Sequence, residues 1–171
     1  GVEICRKIRE TGSEPYRYLI LLTGMHHDKD LVEGMEAGAD DYIIKPFKSS
    51  ELRVRLRAGQ RIIELQNDLI AARETLRVQA THDSLTGLWN HAEILRILDR
   101  ELARARRQGH SVGAIMIDFD FFKKINDTYG HPSGDAVLYA VSGRMLSMLR
   151  AYDSLGRYGG EEFLAVLPGC S

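Results

Sequence analysis

Val112-Gly113-Ala114-Ile115-Met116-Ile117-Asp118-Phe119-Asp120 is an apolar run that ends in two carboxylates, and Arg157-Tyr158-Gly159-Gly160-Glu161-Glu162-Phe163 answers it further along the chain. The first reads as a strand over Val112–Ile117. The second reads as a hairpin, two strand-like arms around a Gly-Gly turn, with Leu164 to Leu167 completing the second arm. If the two strands are neighbours, Asp118 and Glu161 meet at one sheet edge. Oxygen-only ligands at such a place suit Mg²⁺ or Mn²⁺. A divalent ion held there can bridge the phosphates of a nucleoside triphosphate and activate an attacking hydroxyl. Carboxylates alone would repel the triphosphate, so the reading requires the metal. Taken singly, each signal has a plainer account. A solvated loop end explains Asp-x-Asp, and an ordinary hairpin turn explains Gly159-Gly160. The turn does not explain the carboxylates that follow it. A side chain at either glycine would also block close approach by a ligand.

Between the two runs lies Lys123-Lys124-Ile125-Asn126-Asp127-Thr128-Tyr129-Gly130-His131-Pro132-Ser133-Gly134-Asp135. Guanine offers two adjacent donors that a carboxylate such as Asp135 can accept together, and adenine offers no such pair. Asn126 has a donor and an acceptor with which to read the remaining guanine edge. Helix capping by Asn126 and Asp135 is the competing account. Helices are expected on both sides of this region. One runs from Ala92 to Arg107 with Ile94, Leu95, Leu98 and Leu102 on one face. The other runs from about Gly134 to Leu149 with Val137, Leu138, Val141 and Met145 inward.

The N-terminal part alternates differently. Val2, Ile4, Cys5 and Ile8 mark a helix, and Tyr18–Leu22 a strand buried on both faces. Asp28–Ala37 is a helix stopped by Gly38, Tyr42–Ile44 another strand, and a further helix starts at Ser49 or Ser50. Alternation of this kind argues for a parallel sheet. From Glu51 to Ala80 there is no Pro, and Ile62, Leu65, Leu69, Ala72, Leu76 and Gln79 recur at spacings of three and four. That is a coiled-coil seam joining two subunits, or else one amphipathic helix packed on its own domain.

Composition narrows the class. A net charge of -1 gives no bulk attraction to nucleic acid, and none is expected as a partner. No apolar stretch approaches the roughly 20 residues needed to cross a bilayer, so no membrane segment is expected. The two cysteines, Cys5 and Cys170, suit a reducing compartment, and the expected location is cytoplasmic. Gly1 opens in helical periodicity without an initiator Met and the chain stops soon after a strand, so both ends are expected to be cut.

The motifs Asp118-Phe119-Asp120-Phe121-Phe122-Lys123, Asn126-Asp127, Gly130-His131, Gly134-Asp135 and Arg157-Tyr158-Gly159-Gly160-Glu161-Glu162-Phe163 resemble, in order, those of the GGDEF family of diguanylate cyclases. So does the opening Asp83-Ser84-Leu85-Thr86-Gly87-Leu88-Trp89-Asn90. The variant here is Gly-Gly-Glu-Glu-Phe, which keeps a carboxylate at the third position. Phe119 and Phe121 stand where many members have an aliphatic and a polar residue. The resemblance implies condensation of two GTP into cyclic di-GMP with release of pyrophosphate. It implies two Mg²⁺ or Mn²⁺ ions per half-site on Asp118, Glu161 and the Phe119 carbonyl, with Glu162 close by. Glu161 would also deprotonate the ribose hydroxyl, and Lys123 would stabilise phosphate charge. Asn126 and Asp135 would hold guanine beside His131, with Gly159 and Gly160 against the nucleotide. Arg150 and Asp153 are similar to the family's Arg-x-x-Asp inhibitory site for product, where a surface salt bridge is the plainer account.

The first segment resembles the C-terminal half of a response-regulator receiver. There Thr23 would bond the phosphoryl group and Lys45 would pair with its charge, the Lys45-Pro46 peptide being cis. The phosphate-accepting Asp would precede Gly1. The implied architecture is α/β: half a doubly wound receiver over residues 1–58, a helical coiled-coil linker over 59–80, and the N-terminal part of a palm-like α/β GGDEF domain over 81–171. It implies a homodimer, because each subunit holds one GTP, and a sensor histidine kinase upstream. A catalytically silent GGDEF module that senses GTP or cyclic di-GMP is the alternative.

Overall fold

The computed structural model describes residues 1–12, 15–24 and 28–170. Ser171, the expected cut end, lies outside the described residues. The chain divides into two compact units, Gly1–Glu74 and Thr75–Ser171.

In the first unit, α1 (Val2–Glu10), β1 (Ile20–Thr23), α2 (Asp28–Glu36), β2 (Asp41–Ile44) and α3 (Ser49–Thr81) follow one another, and α3 continues past the unit's end. β1 and β2 pair in parallel, from Ile20 opposite Asp41 to Thr23 opposite Ile44. The core is thin: Cys5 of α1 packs on Ala37 and Ala39, with Val2, Leu19 and Leu21 around them. Polar ties supplement it. Arg9 donates to the Gly38 carbonyl at 2.9 Å and pairs with Asp40 at 2.6 Å. The same carboxylate accepts the Leu19 amide at 2.6 Å and the Tyr16 hydroxyl. Leu22 is 46% exposed, so β1 is not buried on both faces as its apolar run suggests. Among the described residues β2 is its only strand neighbour, which leaves one edge and part of one face uncovered. The start of α3 is anchored by an Arg55–Asp41 pair at 2.6 Å and by Gly59, against which the Tyr18 ring packs where a Cβ would otherwise sit.

The second unit holds α4 (His91–Gln108), β3 (Val112–Ile117), α5 (Phe122–Tyr129), α6 (His131–Met148), β4 (Ser154–Gly159) and β5 (Glu162–Pro168). Asn90 caps α4, its side chain accepting the Glu93 amide at 3.0 Å. The three strands form an antiparallel sheet in the order β3-β5-β4. β5 lies in the middle, and its residues alternate between two cores. Phe163 and Ala165 pack with Leu155, Phe122 and Leu138, on the side of α5 and α6. Leu164 and Val166 pack with Ile94 and Ile97 of α4. Helices on both faces of one central strand explain why Phe163 to Val166 is buried throughout, without polar alternation.

Candidate active site

β3 ends where β5 begins. Ile117 lies opposite Phe163, so Asp118 just past one strand and Glu162 at the start of the other share one end of the sheet. The hairpin turn falls one residue later than the sequence suggests. Gly159 still pairs with Glu162, a register irregularity between Arg157 and Gly159 absorbs Tyr158, and the turn is Gly160-Glu161. Glu161 therefore stands in the turn, and Glu162 opens the strand. Gly160 has φ +45°, a left-handed conformation that favours glycine, with nothing within 4 Å of where its Cβ would be. Backbone strain, rather than lack of space, explains glycine there.

Asp118 and Asp120 are exposed while Phe119 between them turns inward. Its ring meets Phe163 edge-on, with centroids 5.8 Å apart, and this fixes the acidic loop to β5. Phe121, 82% exposed, takes φ +61° at the start of α5, and its carbonyl accepts the Lys124 amide at 2.9 Å. A non-glycine residue in the left-handed region is uncommon and costs of order 1 kcal/mol, because its Cβ crowds the backbone, and such strain concentrates at functional sites. Lys123 lies exposed in the first turn of α5.

The guanine candidates are brought together. α5 packs on α6 so closely that a Cβ at Gly134 would overlap the Asn126 side-chain oxygen and meet Phe122. Asn126 thus sits against the residue next to Asp135, and His131 lies exposed at the first position of the same helix. Gly130 N–H donates to the Asn126 carbonyl at 2.8 Å. That bond uses the Asn126 backbone, and neither Asn126 nor Asp135 has a side-chain cap bond in the described residues.

A clasp that the sequence reading did not assign holds the acidic turn. Arg157 donates through Nε to the Gly160 carbonyl at 2.9 Å and through Nη1 to both Asp83 oxygens at 3.2 and 3.3 Å. Asp83 in turn accepts the Thr86 amide at 2.8 Å and hydroxyl at 2.7 Å. Burial alone would raise the Asp83 pKa, but the Thr86 bonds and the Arg157 charge hold it below the usual carboxylate value. Backbone bonds from Trp89 to Leu155 at 3.3 Å and from Arg157 to Trp89 at 2.8 Å continue the seam. The Asp83–Asn90 motif and the Arg157 motif are therefore one structural device. Its only sequence signal is the presence of both motifs.

Among the described residues, no ion pair or side-chain hydrogen bond engages Asp118, Glu161 or Glu162. Nor do three or more His, Cys, Asp or Glu side chains converge as a metal cage. A few uncommitted carboxylates beside a backbone carbonyl fit a hard divalent cation bound largely through phosphates and water, as Mg²⁺ commonly is.

Arg150 and Asp153 are not joined side chain to side chain. Asp153 accepts the Arg150 amide at 2.9 Å, closing the turn before β4. The Arg150 guanidinium is exposed and bonds the Tyr152 hydroxyl at 2.9 Å. In the first unit Thr23 and Lys45 are adjacent at the strand ends, the Lys45 amide donating to the Thr23 carbonyl at 2.7 Å. The Lys45-Pro46 peptide is cis.

A family model for the diguanylate cyclase GGDEF domain matches residues 80–171, and one for the response regulator receiver domain matches residues 1–57. The response regulator PleD of Caulobacter vibrioides is 40% identical over 142 residues, covering 81% of this chain and 30% of its own length. Diguanylate cyclase DgcP of Pseudomonas aeruginosa is 39% identical over 145 residues, covering 82% of this chain and 22% of its own length. This chain thus spans less than a third of either relative. Among solved structures, the coiled coil and GGDEF domain of DgcB from Caulobacter crescentus, in complex with c-di-GMP, superposes with a TM-score of 0.60 at 32% identity, covering 70% of this chain and 61% of that one.

Proposed function

Because the chain belongs to the GGDEF family of diguanylate cyclases and carries receiver sequence ahead of that domain, we propose that it is the regulatory and substrate-binding portion of a receiver-controlled diguanylate cyclase. The observation that carries this is the sheet end itself. Asp118 and the Gly160-Glu161-Glu162 turn share it through the β3–β5 pairing, and Asn126 is packed against Gly134-Asp135 on the adjoining helices.

In this reading Asp118, Glu161, Glu162 and the Phe119 carbonyl hold Mg²⁺ or Mn²⁺, two ions per half-site. When bound, the metal neutralises phosphate charge and makes the ribose 3′-hydroxyl easier to ionise. Glu161 accepts that proton. Asp135 takes the two adjacent guanine donors and Asn126 reads the remaining edge, with His131 alongside and Gly159 and Gly160 leaving room for the nucleotide. Lys123 balances charge on the phosphates as each 3′-oxygen bonds the other GTP's α-phosphorus. The α–β phosphoanhydride bond breaks there, and pyrophosphate leaves from each of the two GTP. One chain binds one GTP, so the reaction needs a homodimer.

Arg150 stacks on and Asp153 pairs with guanine of the product in feedback inhibition. Thr23 and Lys45 read phosphorylation of the receiver by an upstream sensor histidine kinase, and α3 carries the response. Among the described residues no helix is long and apolar enough to cross a membrane. A cytoplasmic setting, where GTP is available, agrees with the two free cysteines. The test is incubation of the intact protein with GTP and Mg²⁺, with cyclic di-GMP identified by mass. Asp118→Asn and Glu161→Gln should each abolish the product, and near-normal turnover in either would overturn the assignment.

A further inference from the structure

In the turn between α6 and β4, the Arg150 side chain has a neutral partner. Its guanidinium donates through Nη1 to the Tyr152 hydroxyl at 2.9 Å, while Cζ lies 5.8 Å from the centroid of the Tyr152 ring. Those two distances put the guanidinium off the hydroxyl end of the phenol rather than stacked on its face. Asp153, the carboxylate nearest in sequence, is engaged by the Arg150 backbone amide instead, at 2.9 Å. Among the described residues Arg150 forms no ion pair. Tyr152 is itself seated. Although 59% exposed, it lines a cavity of about 310 Å³ together with His110, Ser111, Pro168 and Gly169. The cavity lies where β3 begins and β5 ends, at the opposite end of the sheet from Asp118 and the Glu161 turn.

What the bond leaves open decides what the pair can do. A guanidinium carries five N–H donors in a rigid fork and two flat faces. The phenol takes one of those donors and, being neutral, leaves the positive charge uncompensated. A carboxylate in its place would cancel the charge and occupy the fork with two parallel bonds. The remaining donors therefore stay available to an anion, and the faces, which Tyr152 does not cover, to a flat base. An arginine on a surface turn otherwise samples many rotamers, and a ligand that needs it must order it on binding. Tyr152 does that ordering in advance.

We propose that Tyr152 is a positioning residue for cyclic di-GMP, holding the Arg150 guanidinium in place and charged so that the product meets a preformed donor fork. This rests on the reading of Arg150 and Asp153 as a product site, and adds a residue at a position that the Arg-x-x-Asp pattern leaves unspecified. The test is calorimetric titration of cyclic di-GMP into the intact protein and into its Tyr152→Phe, Arg150→Ala and doubly substituted variants. Tyr152→Phe keeps the ring beside the cavity and removes only the hydroxyl. It should weaken product binding roughly fivefold, the effect of having to order one long side chain on binding. Arg150→Ala should weaken it further. The double variant should match Arg150→Ala, because the hydroxyl acts only through the guanidinium. A hydroxyl that merely supported the turn would weaken binding in the absence of Arg150 as well. It would also lower the melting temperature, which should stay unchanged because both side chains are exposed. Binding by Tyr152→Phe within about twofold of the parent overturns the proposal, as does additive loss in the double variant. Tighter binding by Tyr152→Phe overturns it too, since the hydroxyl would then tie the arginine down. A parent that binds no cyclic di-GMP, or an Arg150→Ala variant that binds it undiminished, overturns the product site and the role of Tyr152 together. Loss in Arg150→Ala without loss in Tyr152→Phe overturns the role of Tyr152 alone.

Discussion

Arg157 is committed in three directions: its side chain to Asp83 and to the Gly160 carbonyl, its amide to Trp89. Replacing Asp83 with Asn removes the charge from a half-buried pair and should destabilise the second unit by about 1–3 kcal/mol, read by urea unfolding at pH 7. The penalty should depend on pH. The folded Asp83 pKa is depressed below an unfolded value of about 3.9, so its stabilisation is complete above that value and is lost as pH falls through the folded one. The gap between parent and Asp83→Asn should therefore narrow in unfolding experiments taken below about pH 4. An unchanged gap at pH 3 would show that the carboxylate charge contributes nothing. At Gly134, an added methyl must displace Asn126 or Phe122. Gly134→Ala should cost about 1–3 kcal/mol of stability and weaken GTP binding in calorimetry more than it changes the binding of Mg²⁺ alone. Arg150 is exposed and touches only its own turn, so Arg150→Ala should leave the initial rate intact while raising the product concentration needed for half-inhibition.

At the scale of elements, α3 is the one whose sequence spoke most clearly, because a period of three and four sustained without Pro has few other meanings. Leu69→Glu places like charges in the middle of that stripe, and sedimentation should show the chain shifted to monomer. The strands β1, β2, β3 and β5 were equally legible as short apolar runs between turn residues. α5 was not. Its eight residues are mostly polar, and it begins at a Phe in the left-handed region rather than at a capping side chain, so neither periodicity nor a cap announces it. The hairpin was legible, but its turn was displaced by one residue. The register irregularity around Tyr158 belongs to the pairing with the partner strand, and the Tyr158 ring meets that of His91 with centroids 4.5 Å apart, neither of which periodicity announces. For the site, the acidic residues and Asn126 were legible by residue type and order. The Asp83–Arg157 clasp was not, since pairing across the unit follows from topology alone.

The two units differ in what holds them. The larger buried side chains of the second include Phe163, Ile94, Leu138, Leu155 and Val166, while the first relies on Cys5, Ala37, Ala39 and Ile43. Burial of small side chains returns little hydrophobic stabilisation, so the first unit should melt at lower temperature. Trp89 is the single tryptophan and lies in the second unit, so its fluorescence reports that unit alone. Heating should reduce far-UV ellipticity before Trp89 emission changes, and coincident transitions would show one cooperative block instead. The clasp has a further consequence in time. Asp83 and Arg157 are 74 residues apart, so the strap on the Glu161 turn can form only after that whole length has come back on itself. Closing so long a loop is entropically slow to reward, and non-local contacts of this kind tend to complete late in folding. Asp83 and Arg157 both precede Glu161, so a chain emerging during synthesis already holds both partners of the strap when the acidic turn appears. What sets the moment of tethering is then closure of that loop, not the order in which its ends are made.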